Sequence, residues 1–371
     1  MNVCPTTNQL CQSRHGAKRI VRCLESAEQN ERFVYAPRMN QREAINAFWT
    51  WWPTVAEDFA KSFKSGGPGQ GLIDAMVAHV AAIDPGLDWE FGPGVKSTHH
   101  LCLSSKGDPG LRVVTERWLR GALTDATWEF YPARQGTELG ASMSLRIGGF
   151  DLKLEEMRFA VELDETRELV NLTVDHPGFA QIEDDSLKTR VAFIALDNTL
   201  GEDDVERWIG KVVLAEAALD ESIPLTALRA RVDQFAAKAT GDRWVVLRGS
   251  FDGAPVFVST NRAIKRIDHL LLETHVTLSI ALANPTDEGL PTREEAAVLD
   301  AMEDALVTQL GKEAVFIGRE TSRGQRVLHL HVMEGGPAAA IVGRWRAQHS
   351  GVEIEVEVAS DLHWEVLHRW G

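Results

Sequence analysis

Residues 275–358 constrain the fold of this chain most strongly. The spacing of their apolar residues changes in a fixed order between the two-residue repeat of strands and the three-to-four-residue repeat of helices. Residues 276–282 alternate apolar and small side chains, which predicts a strand with one buried face. Thr292 and Glu295 then have the spacing of a capping box, in which Thr292 accepts a backbone N–H and Glu295 reaches back to the cap. Gly311 ends the predicted helix. The apolar stripe of this helix comprises Leu299, Met302, Leu306 and Leu310, and its polar side comprises Asp300, Glu303 and Asp304.

Two strands, a second helix and a last strand complete the pattern. Residues 314–318 and 327–333 predict a hairpin, and Pro337 starts a helix that contains Trp345. Residues 351–358 alternate apolar residues with glutamates. The order β-α-β-β-α-β is that of a ferredoxin-like unit, in which two helices cover one face of an antiparallel sheet. The sequence therefore predicts an α+β fold of antiparallel sheets with helices on one face, ending in this C-terminal unit.

The chain upstream divides by composition and pattern. Residues 1–41 are basic and lack a sustained period, which predicts a poorly ordered tail or an upstream extension before a start at Met39. Residues 42–135 predict an N-terminal α/β domain, and residues 136–270 predict a β-rich middle region with helices. Residues 271–371 form the ferredoxin-like C-terminal domain in this division.

Tryptophans are the most conspicuous aromatic residues of the chain. A helix from Arg42 carries Phe48, Trp49 and Trp52 at helical spacing, for which a packed core is preferred over a ligand cage. Pro53 interrupts the pattern and predicts a kink or a restart of the helix. Core positions are also predicted for Trp208, Trp244 and Phe251.

Composition limits the classes of function that the chain can have. With 371 residues, of which 44% are hydrophobic and 25% charged, the chain is long enough for several packed domains. A formal charge of −15 disfavours attachment to nucleic acid or anionic membranes, because both need a basic surface. Four cysteines without a C-x-x-C pair, together with the lack of a signal peptide or a membrane-length apolar run, predict a cytoplasmic protein.

Four stretches carry a family resemblance. They are FWTWW at 48–52, LGEDDVERWIG at 200–210, SFDGAPVFVSTNRAIKRID at 250–268, and LPTREE with GRETSRG at 290–295 and 318–324. Together they resemble bacterial proteins of the domain-of-unknown-function family 695, over most of the chain from residue 48 onward. The resemblance implies an uncharacterised bacterial protein and brings no catalytic residues with it. The C-terminal unit is also similar in outline to ferredoxin-like regulators of ribonuclease activity, which is a likeness of fold and does not fix function.

His329 and His331 are the candidate metal ligands. They lie two apart on a predicted strand and therefore point to the same face. If Leu328, Leu330 and Val332 face the helices, both histidines lie on the open side of the sheet. A His-x-His pair on a strand can bind a metal ion when a third ligand converges. The alternative is an exposed or interface histidine pair without metal.

Glu353, Glu355 and Glu357 form a candidate binding face with Thr277 and Ser279. In the strand order 4-1-3-2 of this fold, the first strand separates these glutamates from the histidines by about 10 Å, too far for ligands of one ion. Sheets of this type that bind RNA carry aromatic and basic residues instead. The row of glutamates is thus either a docking face for a basic partner or a solvated edge strand, whose charges prevent edge-to-edge pairing.

No nucleotide-binding, serine-hydrolase or zinc-protease motif is present, so neither catalytic residues nor cofactors are predicted. The sequence favours a non-catalytic binding or regulatory module that acts on a protein partner, and a basic partner suits the acidic charge. A metal-dependent enzyme that uses the His-x-His pair is the alternative. RNA binding and membrane attachment are disfavoured.

Overall fold

The computed structural model describes residues 9–12, 18–21, 40–137, 143–239 and 241–370. The chain divides into two compact units, one within residues 1–164 and 169–236, the other within 165–168 and 237–371. None of the helices in the described ranges is long and apolar enough to cross a membrane.

A five-stranded sheet and four helices form the first part of the first unit. They are β1 (Gln9–Gln12), β2 (Lys18–Val21), α1 (Gln41–Trp51), α2 (Ala56–Ser62), α3 (Gln70–Ile83), β3 (Asp88–Pro93), β4 (His99–Ser104), α4 (Pro109–Leu119) and β5 (Trp128–Tyr131). The strands lie in the order β1-β2-β3-β4-β5, and only β4 and β5 pair in parallel. Strands β1 and β2 fall in the segment predicted to be a tail; the rest of residues 1–39 lies outside the described residues.

The tryptophan-rich helix α1 is buried in this part, as its helical spacing predicts. Phe48 is fully buried and packs edge-on against Trp118 of α4, with ring centroids 5.6 Å apart. Trp52 packs edge-on against Trp128 of β5, with centroids 5.0 Å apart. Such aromatic pairs add about 0.5–1.5 kcal/mol beyond the burial of their surface. The predicted restart at Pro53 is confirmed, because one 3-10 turn there separates α1 from α2.

The described residues of the second part of the first unit form six strands and three α-helices. They are β6 (Ser144–Ile147), β7 (Phe150–Lys153), β8 (Arg158–Asp164), β9 (Leu169–Asp175), α5 (Asp185–Leu200), α6 (Glu202–Trp208), β10 (Ile209–Leu214), β11 (Ile223–Pro224) and α7 (Leu225–Ala236). The main sheet has the order β10-β9-β8-β11, while β6 and β7 form a separate hairpin. Leu172 of β9, Leu196 of α5 and Leu228 of α7 belong to one buried core, which holds the sheet against the helices.

Arg134 of the first unit lies among acidic side chains. Its Nε atom is 3.2 Å from Oε2 of Glu90, and its Nη1 atom is 3.6 Å from Oε1 of Glu202. Glu202 also accepts hydrogen bonds from the backbone N–H of Arg134 and from the hydroxyl of Ser104. Burial, followed by the nearby charge of Glu202, raises the pKa of Asp197 to about 7. Asp197 therefore retains its proton at pH values where an ordinary aspartate has lost it.

The substitution Asp197→Asn is expected to stabilise the first unit at pH 8 and to leave it unchanged near pH 4. Between about pH 4 and pH 7, folded Asp197 keeps a proton that the same residue loses in the unfolded chain. The free energy of unfolding of the wild type therefore falls as the pH rises through this interval. Asparagine is neutral throughout, so the gain at pH 8 should be on the order of 2–4 kcal/mol. Urea unfolding at both pH values measures it. Exposed Asp220, changed to asparagine, should show no such dependence; a variant no more stable than wild type at pH 8 would refute the assignment.

Where the structure describes the second unit, it is one six-stranded sheet with three α-helices. Its elements are β12 (Trp244–Phe251), β13 (Ala254–Asn261), β14 (Thr274–Ala281), α8 (Arg293–Leu310), β15 (Ala314–Ser322), β16 (Gln325–Val332), α9 (Ala338–Gln348), β17 (Ile354–Ser360) and α10 (Glu365–Trp370). The order is β12-β13-β15-β16-β14-β17, and every neighbouring pair is antiparallel. Within it, β17-β14-β16-β15 is the predicted 4-1-3-2 order, so the α+β class and the ferredoxin-like unit are confirmed.

Helices α8 and α9 cover one face of this sheet. Leu306 of α8 and Trp345 of α9 are fully buried against Leu278 of β14 and Leu330 of β16. The indole Nε1–H of Trp345 donates to the carbonyl of Met302, which ties the two helices together. The alternation that predicted the strands also predicted this buried face.

Several polar and aromatic positions of the second unit differ from the prediction. The Glu295 carboxylate accepts the backbone N–H of Ala283 at 2.5 Å instead of reaching back to its own helix cap. Glu303 lies on the predicted polar side of α8 but is buried, because Arg319 of β15 pairs with it at 2.5 Å. Trp244 and Phe251 are exposed by 47% and 63%, since both lie on the outermost strand β12.

Candidate binding site on the C-terminal sheet

The face of the second unit opposite to α8 and α9 carries the predicted site residues in cross-strand rows. Residues directly opposite each other on paired strands share a face. The rows are His331, His275 and Ala359; His329, Thr277 and Glu357; and Val327, Ser279 and Glu355. The structure thus places both histidines, Thr277, Ser279 and two of the three glutamates on one face, and Glu353 directly precedes β17.

His275, His329 and His331 form a stacked cluster at the centre of this face. The ring of His275 lies between the other two, with centroid distances of 5.3 Å to His329 and 5.2 Å to His331. Nε2 of His275 is 3.1 Å from Nδ1 of His329, a hydrogen bond between the rings. His331 is fully buried and His329 is exposed by only 5%.

The C-terminal segment 361–370 covers the two buried histidines, which corrects the expectation of an open sheet face. Trp364 stacks on His331 with centroids 4.1 Å apart, and Trp370 meets His329 edge-on at 4.9 Å. Trp364 adopts a φ of 55°, a backbone conformation that a bulky residue rarely takes. The indole is therefore held in place by its surroundings rather than by local preference.

The acidic groups next to the buried histidines are Asp361 and Glu320, which the sequence did not single out. Oδ2 of Asp361 lies 3.4 Å from Nε2 of His331, and Oε1 of Glu320 lies 3.7 Å from Nε2 of His329. Glu320 also pairs with Arg369 and accepts the indole N–H of Trp370 at 3.0 Å. Two acids and two aromatic rings thus join the C-terminal segment to the sheet.

The histidines of this cluster are neutral at physiological pH. Burial lowers the pKa of His329 to about 3 and that of His331 to about 4, and it also lowers the pKa of His275. His331 has its Nδ1 atom 2.9 Å from the carbonyl of Leu272, so this nitrogen carries the proton of the neutral ring. The cluster therefore contributes hydrogen-bonding groups without positive charge.

A half-open pocket of about 640 Å³ adjoins the cluster on the same face. It lies where β17 ends and the C-terminal segment begins. Its wall includes the following residues: His275, Thr277, His329, Ser360, Asp361 and Glu365. Of the buried histidines, His329 belongs to the wall, whereas His331 lies behind it under Trp364. The wall offers carboxylates, hydroxyls and neutral imidazoles.

The row of glutamates continues from this pocket along β17. Glu353, Glu355 and Glu357 are all exposed, and among the described residues β17 pairs with β14 alone. Strand β17 is therefore an edge of the sheet, with the backbone groups of every second residue directed away from β14. Val358 on this strand is exposed by 66%.

Among the described residues, no third ligand converges on the predicted metal pair His329 and His331. Across the ranges that the structure describes, no group of three or more His, Cys, Asp or Glu side chains is arranged to hold a metal ion. His329 and His331 turn Nδ1 to different partners, one to a histidine ring and the other to a carbonyl. The metal-dependent enzyme stays a hypothesis without geometric support in this region.

The comparisons with known proteins bear on the C-terminal region. The model of a family described as "Family of unknown function (DUF695)" matches residues 242–370. This match confirms, for that part of the chain, the family that the sequence motifs indicate. Two of the motif stretches, 48–52 and 200–210, lie outside it. The search of curated proteins found no match, and neither did the search of solved structures.

Proposed function

We propose that the second unit is a non-catalytic binding module, which pairs the edge of β17 with an extended, basic segment of a protein partner. The observation that carries the proposal is the unpaired edge of β17 in the described structure, lined by three exposed glutamates. Addition of a strand to such an edge is a common mode of peptide recognition, in which main-chain hydrogen bonds give affinity and alternate side chains give specificity.

Hydrogen bonds at the two ends of β17 fix which residues face β14. The N–H of Ala281 donates to the carbonyl of Glu353 at 3.1 Å, and the N–H of Asp361 donates to the carbonyl of Glu273 at 2.8 Å. Hydrogen-bonded pairs recur at every second residue of an antiparallel ladder. The odd-numbered residues from 353 to 361 therefore bond to β14, and the even-numbered residues direct their backbone groups to the free edge.

This register defines how a partner strand would sit. Its backbone would bond to Val356 and Val358, whose N–H and carbonyl groups face outward. Residues opposite Glu355 and Glu357 would form the closer, non-hydrogen-bonded pairs, with Cα atoms about 4.5 Å apart in antiparallel pairing. Opposite charges in such pairs are favourable. The partner segment is thus expected to carry lysine or arginine at alternate positions, which also suits the net charge of −15.

A peptide with lysine at alternate positions and valine or threonine between them is expected to bind the full-length protein. Reversing Glu353, Glu355 and Glu357 to lysine should weaken binding by about tenfold or more, because each pair turns from attraction to repulsion. Isothermal titration calorimetry measures the affinity. N-methylation of the peptide amides that would face β17 should abolish binding, since it removes the main-chain donors.

A charge-matched variant separates the edge from general electrostatics. Asp287, Glu288 and Asp304 are exposed acidic residues of the same unit that lie outside β17. Reversing these three to lysine should leave the affinity within about twofold. Equal losses in both variants, or no binding by the wild type, would show that the glutamates are only a solvated edge.

A further inference from the structure

We infer that the pocket at the end of β17 receives the ammonium or guanidinium group of one basic side chain of the bound segment. The inference rests on the proposed strand pairing and names the residue that the pocket selects. Ala359 lies two positions beyond Glu357 and in one row with His275, a wall residue of the pocket. A partner residue paired with Ala359 therefore points over the pocket, in line with those opposite Glu355 and Glu357.

The charges of the pocket wall favour a cation. Asp361 and Glu365 are the acids of the wall, and Arg369 is its cation. Arg369 is already paired with Glu320 of β15. The carboxylate of Asp361 also accepts the backbone N–H of Glu365, at 3.2 Å and 3.0 Å from its two oxygens. Asp361 and Glu365 give the wall two carboxylates, so an anionic ligand in this space would meet repulsion and a cationic one attraction.

Of His275 and His329, His275 adds one acceptor, and neither neutral ring adds an opposing charge. Glu320 beside Nε2 of His329 favours a proton on that nitrogen, so Nδ1 of His329 accepts the Nε2–H of His275. The proton on Nε2 of His275 leaves its Nδ1 as an acceptor. The hydroxyls of Thr277 and Ser360 can accept hydrogen bonds as well. An ammonium group has three donors, which this combination can satisfy.

The size of the pocket suits a long aliphatic side chain with a polar end. A volume of about 640 Å³ exceeds that of one lysine or arginine side chain and leaves room for water around its charge. Thr277 of β14 and Ala359 of the edge strand β17 both belong to the wall. Lysine and arginine can bury their methylene groups on such a surface while the charged end reaches the acids.

Replacing the lysine that pairs with Ala359 by norleucine tests the inference directly, because norleucine keeps the chain and removes the charge. The peptide with norleucine should bind wild-type protein about tenfold more weakly than the lysine peptide. With Glu365→Gln or Asp361→Asn, the two peptides should differ by less than about threefold. Exposed Glu334, changed to glutamine, is the matched control and should keep the tenfold preference.

The outcomes separate this inference from the proposed function. One outcome is that both peptides bind wild type equally well, while the triple variant with lysine at Glu353, Glu355 and Glu357 binds both more weakly. Strand pairing then stands and the cation pocket is refuted. If neither peptide binds, both proposals fail.

Titration with free n-butylamine, followed through the imidazole signals of His275 and His329 by NMR, gives a readout independent of strand pairing. Shifts in wild type that vanish in Glu365→Gln support the pocket, and shifts equal in both proteins contradict it.

Discussion

Replacing Trp364 with alanine is expected to lower the free energy of unfolding of the second unit by about 3–5 kcal/mol. This indole is 1% exposed, stacks on His331 at 4.1 Å and also stacks on His269 at 5.9 Å. Its removal leaves a cavity over the histidines and takes away much of the apolar contact that holds the segment 361–370 on the sheet. Chemical denaturation, combined with hydrogen exchange of the second unit, measures the loss.

Two further variants show whether the loss comes from packing over the histidines. Trp364→Phe keeps an aromatic ring in this position and should lose about half as much stability or less. Trp244→Ala removes a tryptophan that is 47% exposed on β12 and should cost less than about 1 kcal/mol. A Trp364→Ala protein as stable as the Trp244→Ala protein would mean that the C-terminal segment does not cover the sheet.

Lowering the pH from 7 to 5 is expected to destabilise the second unit through the buried histidines by about 2–4 kcal/mol. The pKa of His329 is lowered to about 3 and that of His331 to about 4, so the unfolded chain takes up protons below pH 6.5 that the folded chain does not bind. The contribution of these two histidines to the free energy of unfolding is therefore complete above about pH 6.5, and it is lost as the pH falls towards 4. The charged groups that face these rings are Glu320, Asp361 and Arg369, beside His275.

The double variant His329→Gln, His331→Asn should lose most of this acid sensitivity. Asparagine at position 331 retains a donor for the carbonyl of Leu272, so the comparison concerns the slope of stability with pH rather than folding itself. Exposed His363 and His368, changed to asparagine together, supply the control and should leave the slope unchanged. If the free energy of unfolding changes with pH equally in wild type and in the His329→Gln, His331→Asn variant, the two rings are not the buried, neutral groups assigned here.

The regular part of the second unit could be predicted because its signals are local. The alternation in β14, β16 and β17 and the helical stripe of α8 each follow from residues close in sequence, and they imply the order of the four strands. The buried row of Leu278, Leu328 and Leu330 was predictable for the same reason. The extra hairpin β12–β13 joins the same sheet through pairing with β15, a contact across more than fifty residues. No local pattern encodes such a partner.

The candidate site was predictable only in part. Side chains two residues apart on a strand share a face, which places His329 with His331 and Thr277 with Ser279. The same rule would have added His275, which lies two residues before Thr277. What covers that face depends on a short segment whose two tryptophans pack over distant histidines. Asp361 could have been noticed as the first polar residue after β17. The role of Glu320 could not, because it depends on a bulge in β15 that shifts its register against β16.

Hydrogen exchange along β17 is the most direct test of the central claim that this edge binds a strand. On saturation with the alternating lysine peptide, the outward-facing amides of Val356 and Val358 should slow by about tenfold or more, because they acquire main-chain acceptors. The amides of Glu355 and Glu357, already bonded to β14, should change much less. Protection confined to other parts of the second unit, or unchanged exchange at Val356 and Val358 in the complex, would contradict strand pairing.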